Sequence, residues 1–359
     1  MRRTGCYSAQ QRALRPGLLY GRIPDHWRVL AFFRRPAQPP AGFTPPVSIL
    51  KPVRGVDYQA CENFASFCEQ DYPQYELLFG VSDLADPVVK VIQRLQQQYP
   101  HLSIQVLEAP PVGVNPKASI LHALAQHASY EVLVLSDSDM RVTPDYLRRV
   151  VAPLADESVG LVTCPYHGVD PVTLTARLEA LHMGVTFLPA VIVARRFLNM
   201  GFAMGATNAL RRSDLARIGG FASFADYLAD DYQLGARIAA SGRRVHLSDY
   251  LVSSVLGATA FREQWEREVR WAHCNRISRP NEYPGLLLSF TALLAVVLLV
   301  ATGFSLAGWL VLGAALLLRW AVGWLVTGAT GDLALRRWLI WLPVRDMLSA
   351  LIWFVGLIG

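Results

Sequence analysis

Residues 286–318 carry no charged side chain, and Arg319 is the only charge before Asp332. A bilayer core takes about 20 apolar residues per helix, so this run is too long for one span and suits two. The expected spans lie near 286–304 and 306–327, joined by the turn "FSLAG". A third apolar stretch, 338–359, is interrupted by "PVRD" at 343–346, and both a span and an interfacial segment fit it. Arg276 and Arg279 precede the first span, and Arg336 and Arg337 follow the second. Positive charge at both ends of the hairpin predicts a multi-pass protein of the cell (inner) membrane, with the preceding domain in the cytoplasm.

The composition agrees. Hydrophobic residues make up 52% and charged ones 17% of 359 residues, with mean hydropathy +0.27. That is too apolar for an ordinary soluble domain. The net charge of +6 then points to anionic lipid headgroups. No nucleic-acid module is present, and nucleic acid is not an expected partner. Five scattered cysteines without a C-x-x-C imply neither a disulfide framework nor a zinc site, and are read as reduced thiols.

Residues 1–46 are basic and proline-bearing, without a signal-peptide pattern. Within them Trp27–Arg35 is too short to span and suits the membrane interface, and residues 34–46 read as a linker. From residue 47 the pattern becomes strand, helix, strand. Strands are expected at 47–53, 75–83, 103–109, 131–136 and 159–166, and helices around 58–70, 85–100 and 117–127. This alternation predicts an α/β domain with a mostly parallel, Rossmann-like sheet. Asp83, Asp137 and Asp139 all fall at carboxyl ends of strands, where open α/β sheets bind ligands.

Short acidic motifs also arise for plain structural reasons. Aspartates often cap the turn after a strand, and D-x-D alone is a weak signal. Its sharper reading is a pair of hard oxygen ligands for Mg²⁺ or Mn²⁺. Asp230 and Asp231 start a helical pattern, so they either complement the helix dipole or supply a general base. "FAMGATNALRR" at 202–212 is either a tight turn or a close backbone approach to a ligand at Gly205. Phe261, Trp265, Val269 and Ala272 trace an amphipathic helix over 261–276. Its Arg267, Arg270 and Trp271 either anchor it at the interface or face a diphosphate.

"SILKPVRGVD" (48–57), "VSDLADP" (81–87), "GVNPK" (113–117), "SDSD" (136–139), "MGATNALRR" (204–212), "LADDY" (228–232) and "REVRW" (267–271) follow one another along the chain. In order and spacing they resemble the ceramide glucosyltransferase family, which includes bacterial members associated with hopanoid glycosylation. The resemblance implies a GT-A type domain, a UDP-sugar donor, a lipid acceptor and a divalent metal, Mn²⁺ or Mg²⁺. It implies one displacement with inversion at the sugar carbon. It places Asp83 on the nucleoside, Asp137 and Asp139 on the metal with Asp139 the principal ligand, and Asp231 as the base. Asp137, Lys117, Arg267, Arg270 and Trp271 fall with the nucleotide sugar. "LADDY" has Asp230 where some members have Glu. Members usually begin with a transmembrane helix, and no such span is seen here.

The expected domains are 1–46, a glycosyltransferase domain at 47–260, an interface helix at 261–280 and membrane helices at 281–359. Two other readings remain open. A processive polysaccharide synthase shares the D-x-D and R-x-x-R-W elements, but two or three spans make a poor export channel. A non-catalytic nucleotide-sugar sensor would not need Asp231.

Overall fold

The aliphatic run that leads into the acidic pair forms the middle of a seven-stranded sheet. The computed structural model describes Phe32, residues 42–197 and residues 201–358. The expectations for Trp27–Arg35, and most of those for 1–46, lie outside the described residues. The strands are β1 (Val47–Pro52), β2 (Tyr75–Val81), β3 (Ser103–Glu108), β4 (Val132–Ser136), β5 (Met140–Arg141), β6 (Val159–Thr163), β7 (Tyr166–Pro171), β8 (Thr207–Arg211), β9 (Arg244–Leu247) and β10 (Val252–Gly257). The large sheet runs β3-β2-β1-β4-β8-β6-β9. All its neighbours pair in parallel except β8, which is antiparallel to both β4 and β6.

Every residue of β1 and β4 is buried. Alternate side chains point to opposite faces, and helices cover both, so these strands read as continuous apolar runs. Ile49, Phe79 and Val134 pack in one core, whereas Leu50, Leu78 and Leu135 pack in the other. The mostly parallel α/β sheet expected from the sequence is therefore the observed one.

Two differences from the expected strands bear on the site. The expected strand at 159–166 is two strands, because Pro165 has no N–H to continue a ladder. Its first part, β6, stays in the large sheet, and β7 joins a second sheet ordered β5-β10-β7. In addition, "TNALR" is not a turn but β8, inserted beside the strand that carries the acidic pair.

The apolar region also departs from the simplest expectation. Residues 283–301 are not one straight span: Tyr283–Ser289 meets the helix Thr291–Ala301 at 73°. A long helix comes next at Leu306–Thr330, then a 3₁₀ segment at Leu333–Trp341 and a helix at Leu342–Ile358. "PVRD" does not break the last helix. Pro343 sits in its first turn, where no N–H is needed. Among the described residues, three helices are long and apolar enough to cross a membrane, Leu174–Arg195, Leu306–Thr330 and Leu333–Ile358, or up to four if the bent pair counts as one.

The helix Phe261–Ser278 forms as expected, and Trp265, Val269 and Ala272 of its apolar stripe pack against the last helix, but the buried strip also takes in polar residues. Its fully buried positions are Gln264, Glu268 and Ala272, whereas Phe261 is exposed. Polar groups face inward because the last helix brings Arg345 against Glu268, at 2.9 and 2.5 Å.

Candidate active site

Two loops and one helix start converge beyond the carboxyl end of β4. The first loop is Asp137–Asp139, continuing directly from the strand. Lys51 of β1, buried with no exposed surface, donates from Nζ to the Asp137 carbonyl at 2.8 Å. Its ammonium lies 3.6 Å from the centre of the Phe67 ring. Burial lowers the Lys51 pKa to about 7, against the opposing pull of Asp137 and Asp139. On the far side of the loop, Ser254 of β10 donates to Asp139 Oδ2 at 2.7 Å. Burial, then repulsion from Asp137, raises the Asp139 carboxyl to about 6.

The second loop is "GVNPK". Asn115 caps the helix Pro116–His127 by accepting from the backbone N–H of Lys117 and Ala118, and Pro116 fits the first turn. Asn115 Nδ2 also donates to the Tyr227 carbonyl at 2.8 Å, which ties this loop to the segment before Asp230. Lys117 is thereby aimed at the acids. Its Nζ lies 2.6 Å from Asp137 Oδ1 and 4.0 Å from Asp230 Oδ2. Burial alone would lower the Lys117 pKa, but the carboxylates of Asp137, Asp230 and Asp231 prevail and hold it above the ordinary value.

The helix Asp230–Ala240 begins at the same place. It can approach because Gly235 has no side chain: a Cβ there would lie 2.2 Å from the Ala203 nitrogen. Gly205 fills the gap between the two acidic groups. A Cβ on it would meet Asp231 Oδ2 at 3.3 Å and Asp137 Oδ2 at 3.8 Å. Asp231 is raised to about 6, by burial first and then by Asp230, with Lys117 opposing. The cleft is walled by Leu121, Phe221, Phe224 and Leu234.

The structure thus brings Lys117, Asp137 and Asp231 together, with Asp139 on the same loop. Asp83 is exposed and its Oδ1 accepts from the Ala85 N–H at 2.8 Å. It comes just after β2, two strands from β4, an offset of about 10 Å at the usual strand spacing. Arg267, Arg270 and Trp271 do not line this cleft. Arg267 Nη2 instead donates to the buried Glu179 at 2.5 Å, Arg270 is exposed, and Trp271 is half-buried under Arg267. Their helix is still within electrostatic reach of the acids. Burial raises the Cys274 thiol, and Asp231 is the next contributor. Sequence reading missed Lys51 and Ser254. The one available signal was a lysine inside an otherwise aliphatic strand.

The same architecture occurs in a solved mannosyltransferase from Pyrobaculum calidifontis, in complex with GDP-Man and Mn²⁺. It superimposes with a TM-score of 0.52 at 22% identity, covering 91% of this chain and 92% of that one. The fold is therefore an α/β glycosyltransferase fold with apolar helices towards its C-terminal side. Within that class, the chain belongs to glycosyl transferase family 21, whose model matches residues 16–359. It is 28% identical over 208 residues to ceramide glucosyltransferase 1 of Caenorhabditis elegans, covering 57% of this chain and 44% of that protein. Ceramide glucosyltransferase 3 of the same organism is 27% identical over 229 residues, covering 63% and 50%. The chain spans about half the length of the curated relatives it matches.

Proposed function

We propose that this chain is a membrane-held inverting glycosyltransferase. It moves a single sugar, glucose or N-acetylglucosamine, from a UDP-sugar to the hydroxyl of a lipid, ceramide or a hopanoid polyol. The observation that carries the reading is the meeting of Asp231 with Asp137 and Lys117 around Gly205. A base and a diphosphate-facing charge cluster are one small residue apart.

Asp231 takes the proton from the acceptor hydroxyl. The freed oxygen bonds to the anomeric carbon from one face, and the bond from that carbon to UDP breaks on the other, its electron pair leaving with UDP. A carboxyl raised to about 6 by burial suits this work, since it is ionised at neutral pH yet basic enough to accept a proton. Lys117 offsets the acids around it and supports the diphosphate as negative charge develops. Asp83, beyond the neighbouring strands, takes the nucleoside. Arg267, Arg270 and Trp271, which lie outside the cleft lining, are given to the diphosphate and acceptor on the family resemblance alone.

The donor set suits Mn²⁺ or Mg²⁺. Asp137 and Asp139 offer hard oxygens, and their mutual repulsion is what a cation would relieve. Among the described residues no group of three or more acidic, histidine or cysteine side chains is placed to hold a metal. Two carboxylates with phosphate oxygens and water completing the shell are the usual Mg²⁺ arrangement. When bound, the metal would neutralise the departing diphosphate.

The decisive experiment is mass spectrometry of membrane lipids from cells with and without the gene. The reading expects a hexosyl- or N-acetylhexosaminyl-lipid that disappears with the gene and returns with the wild type but not with Asp231→Asn. Unchanged glycolipids would sink it.

A further inference from the structure

Tyr166 opens β7, the strand that leaves the large sheet after Pro165. β7 pairs in parallel with β10, with Tyr166 opposite Val252 and Gly168 opposite Ser254. Residues two apart on a strand share a face, and so do partners across a ladder. The Tyr166 side chain therefore stands on the same face as that of Ser254, whose hydroxyl donates to Asp139 Oδ2 at 2.7 Å.

A helix covers that face. A Cβ on Gly168 would lie 3.1 Å from the Ala180 Cα, so the helix Leu174–His182 rests directly on the strand. It continues through a π-helical turn, Met183–Phe187, into Leu188–Phe197. Such turns are rare and recur at functional sites. This one is pinned from outside, because Arg319 donates to the Val185 carbonyl at 2.8 Å and to Thr186 Oγ1 at 2.6 Å. It ends on Phe187, whose ring centre is 5.0 Å from that of Tyr166. The tyrosine ring is thus held by Phe187 and by the cluster of Val191, Met204 and Leu247. Met204 adjoins Gly205, the residue between Asp231 and Asp137.

The ring is fixed, but its hydroxyl is left open. The hydroxyls of Tyr72, Tyr75 and Tyr283 each donate to a backbone carbonyl. That of Tyr166 has no hydrogen-bond partner among the described residues. Burial raises its pKa above the ordinary value, and Asp231, Asp137, Asp139 and Glu179 follow in that order. Tyr166 is therefore a neutral phenol among four carboxylates, and the base is the strongest of its charged neighbours. A departing diphosphate calls for cations, which Lys117 supplies at Asp137. A neutral hydroxyl beside the base suits the other substrate, since it can donate one hydrogen bond and accept another.

We propose that the Tyr166 hydroxyl binds a second polar group of the acceptor lipid, a hydroxyl or amide adjacent to the hydroxyl that reacts. The site thereby selects lipids whose reacting hydroxyl has a polar neighbour. Asp231 takes the proton, and Tyr166 holds the head group without joining the proton transfer. This deepens the proposed function and rests on its reading of the chain as a lipid glycosyltransferase.

The test compares wild type with Tyr166→Phe as full chains in detergent, using radiolabelled UDP-glucose and UDP-N-acetylglucosamine. The acceptors are ceramide, an octadecyl chain ending in a vicinal diol, octadecanol, and a total lipid extract of cells lacking the gene. Loss of one neutral hydrogen bond should raise KM for ceramide and the diol by about threefold to tenfold. KM for octadecanol, KM for the UDP-sugar and kcat should stay at wild-type values. Equal losses with all acceptors, a raised KM for the UDP-sugar, or a loss confined to kcat would each overturn the proposal. The hydroxyl removed has no partner to strand, so the thermal midpoint should not move. A lowered midpoint with unchanged acceptor KM makes the hydroxyl structural and overturns the proposal too. Wild type that transfers sugar to none of the acceptors, the extract included, sinks the lipid glycosyltransferase reading itself and this proposal with it. Failure of the variant alone to show the acceptor-dependent split sinks only the role of Tyr166.

Discussion

Lys117 Nζ lies 2.6 Å from Asp137 Oδ1, while the same ammonium is 4.0 Å from Asp230 Oδ2 at the start of another element. One cation therefore spans the strand that ends in D-x-D and the helix that begins with the second acidic pair. It lets three carboxylates share a cleft that would otherwise repel them.

The base assignment makes the sharpest prediction. Asparagine keeps the shape of aspartate but cannot take a proton. Asp231→Asn should lower kcat by about 10²–10⁴ with UDP-sugar binding little changed. Asp230→Asn should be milder, since adjacent helical side chains diverge by about 100°. Paired radiolabelled-sugar transfer assays and UDP-sugar titrations check this. A variant that retains more than about a tenth of kcat, or a dead Asp230→Asn, means the base is misassigned.

The pH profile should report the same group. Burial and Asp230 raise the Asp231 carboxyl to about 6, so its basic form dominates above that value and is lost below it. kcat at saturating acceptor should plateau at neutral pH and fall about tenfold per unit well below the inflection. Asp230→Asn removes a raising neighbour, so it should move the inflection downward. A flat profile across this range contradicts the assignment.

Metal dependence should track Asp139. Asp139→Ala should remove most transfer and weaken UDP-sugar binding measured with Mn²⁺ or Mg²⁺. Because burial and Asp137 raise the Asp139 carboxyl to about 6, protons should compete with the metal as the pH falls through that value. Full activity in excess EDTA would rule the metal out.

Gly235→Ala tests how the second acidic pair is delivered. Its Cβ would lie 2.2 Å from the Ala203 nitrogen and 2.4 Å from the Phe202 carbonyl carbon, both backbone, so the helix must move. Overpacking of this kind destabilises by about 1–3 kcal/mol. Thermal unfolding should register the loss, and kcat should fall as Asp231 shifts. Wild-type behaviour in both would show that the helix sits further out.

The buried pair between Arg345 and Glu268 should behave asymmetrically. Arg345→Met strands Glu268, which is 3% exposed, and should cost about 3–5 kcal/mol. Adding Glu268→Gln removes the stranded charge and should restore much of the stability. Thermal melts of the single and double variants in detergent decide it, and a double no better than the single refutes the pairing. Arg345 also makes a chain ended near Pro280 a poor test of anchoring, because such a chain lacks the partner of Glu268.

Much of this protein was legible in its residues alone. Aliphatic runs such as Val132–Ser136, alternating with helical periods, determined a mostly parallel α/β sheet, because burial on both faces writes itself into consecutive positions. The acids at strand ends likewise pointed to the candidate site, and the uncharged run 286–318 to the apolar helices. Tertiary structure alone decided the rest. No local pattern says that β8 inserts antiparallel beside β4, or that the strand after Pro165 joins a second sheet, because strand partners are chosen across long separations. Nor does a sequence distinguish a solvated glutamate from Glu268, or a surface arginine from Arg345. A charge's meaning depends on which opposite charge the fold brings within about 3 Å of it, and here that partner lies in another helix far along the chain.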